Sequence, residues 1–162
     1  MKVLGIDPGT GILGFGVVEV DAKRKMRMVA AGVITSPAHT PLAVRLEDIF
    51  DGLTGIILET HPEQVVIEKL FFAQNITTAM AVSHARGVAM LAAKKQNLPI
   101  FEYTPLQIKQ SLTGYGRAEK KQMQELVRMQ LGLTKVPKPD DVADALAAAI
   151  THILMTRGGR NK

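Results

Sequence analysis

Val3-Leu4-Gly5-Ile6-Asp7-Pro8-Gly9-Thr10-Gly11 is a short apolar run that delivers one carboxylate and then turns sharply. The run predicts a buried strand over residues 2–8. A carboxylate at the end of such a strand is costly unless a cation or hydrogen bonds compensate it. Three more acids can meet it: Glu68 at the end of a second apolar run, and Asp141 with Asp144 near the C-terminus. Acids that converge from distant segments suit a hard divalent cation such as magnesium.

Gly9, Gly11 and Gly14 follow as turn residues, and residues 15–20 read as a second strand. A hairpin turn at 21–24 leads to a third strand over 26–35, so the first three strands form an antiparallel meander. A helix over 41–59 follows, carrying Val44, Ile49, Leu53, Ile56 and Ile57 at near-helical spacing, and His61-Pro62 ends it. The β-branched run Val65-Val66-Ile67 marks a fourth strand over 64–68. A helix over 76–96 and a fifth strand over 99–104 come next. Shorter helices over 105–112 and 118–131 flank Gly114-Tyr115-Gly116. Asp140 then caps a last helix that runs to residue 156.

The order β-β-β-α-β-α-β-α-α-α predicts an α/β protein with one mixed five-stranded sheet and helices on both faces. It combines a three-strand antiparallel meander with two parallel strands. The first and fourth strands then lie side by side, which brings Asp7 and Glu68 to neighbouring strand ends. Residues 1–156 make one domain, and 157–162 a basic, frayed tail. With 162 residues, 46% of them apolar, the chain has enough for one good core and too few residues for two ordinary ones.

Cysteine is absent, which removes both a disulfide framework and a thiolate metal site. No basic-then-apolar leader opens the chain, and charges such as Arg86 and Asp144 interrupt its apolar stretches. The expectation is therefore a cytoplasmic protein without a membrane span. Net charge is +5, and its distribution says more than its size. Between Lys94 and Lys138 stand nine basic residues against three acids. Basic surface beside an acidic cluster is what a metal-dependent site needs to hold a polyanion.

In the last helix, Asp141 and Asp144 are three residues apart and so share a surface. Asp141, Ala145, Ala148 and His152 form one row, and its alanines let the helix approach a sheet closely. Acids in a first helical turn also serve simply to stabilise the N-terminus, and Asp140 is read in that way. Glu68 has the alternative of a solvated strand-end acid. Asp7 has that of a carboxylate accepting backbone hydrogen bonds from the glycine turn. His152, roughly 16 Å along the helix axis from Asp141, is read as a buried structural residue.

Phe71 and Phe72 follow Glu68 closely in a chain with only 4% aromatic residues, and aromatics there can stack on or wedge between bases. Asn75 suits a phosphate contact or a helix cap. Lys109, Arg117, Lys120 and Lys121 flank the glycine turn as a phosphate clamp or a solvated basic face. Ala79, Ala81, Ala85, Gly87, Val88 and Ala92 give the 76–96 helix a small-residue surface, fit for internal packing or a self-complementary dimer.

Five stretches in this order carry a resemblance: Gly5-Ile6-Asp7-Pro8-Gly9, Glu68 through Asn75, Ala85-Arg86-Gly87, Lys109 through Lys120, and Asp141-Val142-Ala143-Asp144-Ala145. Together, over nearly the whole chain, they resemble the bacterial RuvC family of Holliday-junction resolvases. The resemblance implies an RNase H-like fold and a homodimer that cuts two opposed strands of a four-way DNA junction in recombination and repair. It implies Mg²⁺ dependence, with Asp7, Glu68, Asp141 and Asp144 as ligands, and two ions per subunit during catalysis. It also implies that Phe71 contacts DNA, that Lys109 and Lys120 support cleavage or binding, and that RuvA and RuvB are partners. Phe72, Asn75, Arg86, Arg117 and Lys121 complete the expected DNA-contacting set. The Gly-Ile-Asp-x-Gly-Thr turn also opens actin-like ATPases and sugar kinases, but those need a second domain that 162 residues cannot supply.

Overall fold

A computed structural model describes residues 1–37, 39–69 and 76–158. The chain runs β1 (Lys2–Asp7), β2 (Ile12–Val20), β3 (Met26–Thr35), α1 (Leu42–Thr60), β4 (Gln64–Glu68), α2 (Ile76–Lys95), β5 (Ile100–Tyr103), α3 (Pro105–Thr113), α4 (Lys120–Gln130) and α5 (Asp140–Gly158). The sheet order is β3-β2-β1-β4-β5. β1, β2 and β3 pair antiparallel, whereas β1–β4 and β4–β5 pair parallel. This is the RNase H-like mixed sheet that the resemblance implied.

Period-two alternation sorts the strand residues between two cores. Leu4, Ile6, Leu13, Val17, Val65 and Ile67 pack with α1 and α2 on one face. Val3, Val18 and Val66 pack with α3, α4 and α5 on the other. Asp7 is in phase with Val3 and Gly5, and Glu68 is in phase with Val66. Both acids therefore leave the sheet on the α5 side.

α5 lies almost directly on the strand backbones. A Cβ on Gly5 would fall onto the Ala145 carbonyl oxygen and 2.9 Å from the Ala149 amide nitrogen. One on Gly14 would fall onto the Asp141 carbonyl and 2.9 Å from the Asp141 Cβ. Ala145 and Ala149 are fully buried beneath this contact. Here lies one departure from the sequence reading. β2 starts at Ile12, three residues earlier than expected, and Gly14 sits within it as the partner of Asp7. Its missing side chain admits the helix and does not make a turn.

The start and end of α5 also differ from expectation. Asp140 is the first helical residue and not the cap, and its carboxylate is taken up by lysines. The helix continues to Gly158, two residues into the expected tail. His152 is fully buried, as expected, between Gln64 Oε1 (2.7 Å from Nε2) and the Tyr103 hydroxyl (2.9 Å from Nδ1). With Nε2–H donating to the Gln64 carbonyl oxygen, Nδ1 accepts from Tyr103, which satisfies a neutral ring. This triad ties α5 to β4 and β5. Among the described residues, no helix is long and apolar enough to cross a membrane.

Candidate active site

β1 and β4 run parallel with Ile6 level with Ile67, so Asp7 and Glu68 emerge one residue further on, at the same height. Neighbouring strands lie about 4.8 Å apart. The first turn of α5 crosses these strand ends, with Asp141 packed over Gly14, the cross-strand partner of Asp7. Asp144 follows one turn later and lines the same open cleft as Asp7 and Glu68, together with Pro8, Lys69, Val82 and Pro105. Next to it, a hollow of about 200 Å³ is lined by Glu68, Asp144, Lys109 and Lys120 among others. The two depressions share Glu68, Asp144 and Pro105, so they form one continuous groove.

The electrostatics are those of anions forced together. Burial, then the charges of Glu68, Asp144 and Asp141, push the Asp7 carboxyl from 3.8 up to about 7, against a pull from Lys120. Burial and then Asp144 push Glu68 from 4.5 up to about 7, with Lys109 and Lys120 opposing. Burial also raises Asp144, against the pull of Lys120. For Lys120, burial works to lower the ammonium, but Asp144 and Asp140 outweigh it and raise it. Its Nζ lies 3.3 Å from an oxygen of each.

Among the described residues, no three acidic or imidazole side chains are close enough together to hold a metal ion as they stand. They nevertheless perturb one another strongly. Lys120 also sits 3.3 Å from Asp144, so one of the acids is already paired with an ammonium. The donor chemistry fits a hard divalent cation: Asp7, Glu68 and Asp144 line the groove, Asp141 does not line it but its charge acts on Asp7, and no thiolate is present.

The basic residues separate by position. Lys109 and Lys120 line the groove. Arg117 and Lys121 are exposed nearby and do not line it. Arg86 is half-buried and forms an ion pair with Glu102, which clips α2 to β5. Phe71, Phe72 and Asn75 lie outside the described residues. Two contributors escaped the sequence reading, Lys138 and the carboxylate of Asp140, which pair at 2.9 Å beside Lys120. Their adjacency to Asp141 was the available signal, but helix-dipole reasoning accounted for Asp140 without a partner.

The family model for the crossover junction endodeoxyribonuclease RuvC matches residues 3–152. The chain belongs to this family. A member from Alkaliphilus oremlandii, the crossover junction endodeoxyribonuclease RuvC, is 53% identical over 152 residues, spanning 94% of this chain and 92% of that protein. The solved Thermus thermophilus RuvC structure superposes with a TM-score of 0.91 at 37% identity, covering 98% of this chain and 97% of that one. A second structure, T. thermophilus RuvC in complex with Holliday junction substrate, gives a TM-score of 0.90 at 34% identity, with the same coverage. Family membership thus extends through every element that frames the groove.

Proposed function

We propose that this chain is a cytoplasmic, Mg²⁺-dependent endodeoxyribonuclease that resolves four-way DNA junctions by paired, symmetric incisions. One observation carries the reading: adjacent parallel strands deliver Asp7 and Glu68 onto the face where α5 presents Asp141 and Asp144, beside a groove that Lys109 and Lys120 line. The junction complex of the T. thermophilus relative supports the choice of substrate.

Asp7, Glu68, Asp141 and Asp144 would hold the metal, with two ions per subunit during catalysis. Ions in such a site supply water activation and charge stabilisation for an in-line displacement at phosphorus. The remaining work falls to the chain itself. Lys109 meets a backbone phosphate at the wall of the groove. Lys120 offsets the charge that builds on the transferring phosphoryl oxygens. Phe71 stacks on a base at the junction, and Phe72, Asn75, Arg117 and Lys121 extend the DNA-facing surface. Arg86 belongs to that set through the resemblance, although it is paired with Glu102.

Paired incision requires two such grooves related by a twofold axis, hence a homodimer. The exposed Met80 and Leu91 on α2 support that helix as its interface. Family resemblance adds RuvA and RuvB as partners. The test is cleavage of a labelled synthetic four-way junction with and without Mg²⁺, mapped at nucleotide resolution. Duplex DNA, RNA–DNA hybrid and structured RNA serve as competing substrates. Symmetric metal-dependent cuts in the junction alone are expected, whereas equal cutting of RNA–DNA hybrid would overturn the substrate assignment. Asp7→Asn should abolish cleavage and leave junction binding intact.

A further inference from the structure

Lys120 is the first residue of α4, and the acid beside it that takes no part in the proposed metal set is Asp140. The two oxygens of Asp140 have different partners. Oδ2 lies 3.3 Å from Lys120 Nζ, while Oδ1 accepts from Lys138 Nζ at 2.9 Å. Asp140 thus ties the first turn of α4 to the first turn of α5, with Lys138 held from the other side.

Asp144 is the other anion on Lys120, also at 3.3 Å. A cation drawn to Asp144 would compete with Lys120 for the charge of that carboxylate. Asp140 gives Lys120 a second anchor over the groove when Asp144 is so engaged. Its four-carbon stem has large rotamer freedom, and an untethered ammonium would sample solvent.

We propose that Asp140 is a positioning residue for the cleavage reaction, an anchor that keeps the Lys120 ammonium at the scissile phosphate once Asp144 is committed elsewhere. The proposal rests on the role given above to Lys120. Outer-shell partners in metal sites ordinarily contribute about 10- to 100-fold through orientation, and the half-exposed geometry of the Asp140–Lys120 pair points to the lower end of that scale.

The test is a double-mutant cycle of single-turnover junction cleavage with saturating Mg²⁺, using Asp140→Asn, Lys120→Ala and the double variant. Junction affinity in EDTA and the thermal midpoint of each variant are measured alongside. Expected are a loss of about tenfold in rate for Asp140→Asn, at least as large a loss for Lys120→Ala, and no further loss in the double variant. For Asp140→Asn, affinity in EDTA should stay within about twofold of wild type, because the anchor adds no phosphate contact. Asp140→Glu should recover part of the rate, and Lys138→Ala should cost less than Asp140→Asn, in the same direction. Multiplicative losses in the double variant would overturn the proposal and return Asp140 to a helix-terminus role. So would a wild-type rate in Asp140→Asn. If Lys120→Ala itself cuts at the wild-type rate, the reading of Lys120 falls first and the anchor falls with it.

Discussion

Replacing Asp7 by Asn should make the cation-free protein more stable, and far more so at pH 8 than at pH 4. The folded protein holds this carboxyl at about 7, against 3.8 for an ordinary aspartate. Its pKa is raised on folding, so between these values the unfolded chain has lost a proton that the folded chain keeps. Stability therefore falls as pH rises from about 4 to 7, and the penalty levels off above that. A difference of roughly three pH units, at 1.36 kcal/mol each, gives about 4 kcal/mol at pH 8 and less than about 1 kcal/mol at pH 4. Asparagine carries no charge, so Asp7→Asn should gain about 2–4 kcal/mol at pH 8. Urea unfolding followed by circular dichroism, in EDTA at both pH values, measures this directly. Added Mg²⁺ should reverse the order by stabilising the wild type more than the variant. An Asp7→Asn protein no more stable than wild type at pH 8, or equally stabilised at both pH values, would refute the buried-charge reasoning.

Other expectations follow from the packing and the electrostatics. Gly5→Ala should cost on the order of 3 kcal/mol by urea unfolding and should slow cleavage too, because α5 carries Asp141 and Asp144 and must lift off the sheet. A fully stable Gly5→Ala protein would contradict the backbone contact. His152 is held neutral by burial, its pKa lowered, so stability should fall as pH drops below about 6.5, where the unfolded chain takes up the proton first. His152→Gln should flatten that slope, and an unchanged slope in thermal melts between pH 7 and 5 would count against it. Lys109→Ala should weaken junction binding and reduce the log-affinity against log-salt slope by about 1, as expected for one lost phosphate contact. An unchanged slope would remove Lys109 from the interface.

The element order was legible because the sequence alternates two clear periods. Val3-Leu4-Gly5-Ile6 and Val65-Val66-Ile67 read as buried strands, and their parallel pairing follows from the crossover through α1. Strand phase then puts Asp7 and Glu68 on a common face. What stayed hidden depends on contacts across the fold. Gly14 looked like a turn residue because local rules cannot see a helix pressed against a strand. Arg86 looked free to meet DNA because nothing near it in sequence announces Glu102. Asp140 looked like a dipole partner because Lys120 is twenty residues away along the chain.

The glycine–alanine seam between β1, β2 and α5 has a consequence for how this enzyme can diverge. Where most helices ride on interdigitated side chains, this one rests on main-chain atoms at Gly5 and Gly14. The spacing between the strand acids and the helix acids is then set by peptide geometry, which mutation hardly alters, and not by rotamers, which drift. Substitutions elsewhere in the interior can change its volume and leave the four acids in registration, because the contact that sets their spacing involves no side chain of the strands.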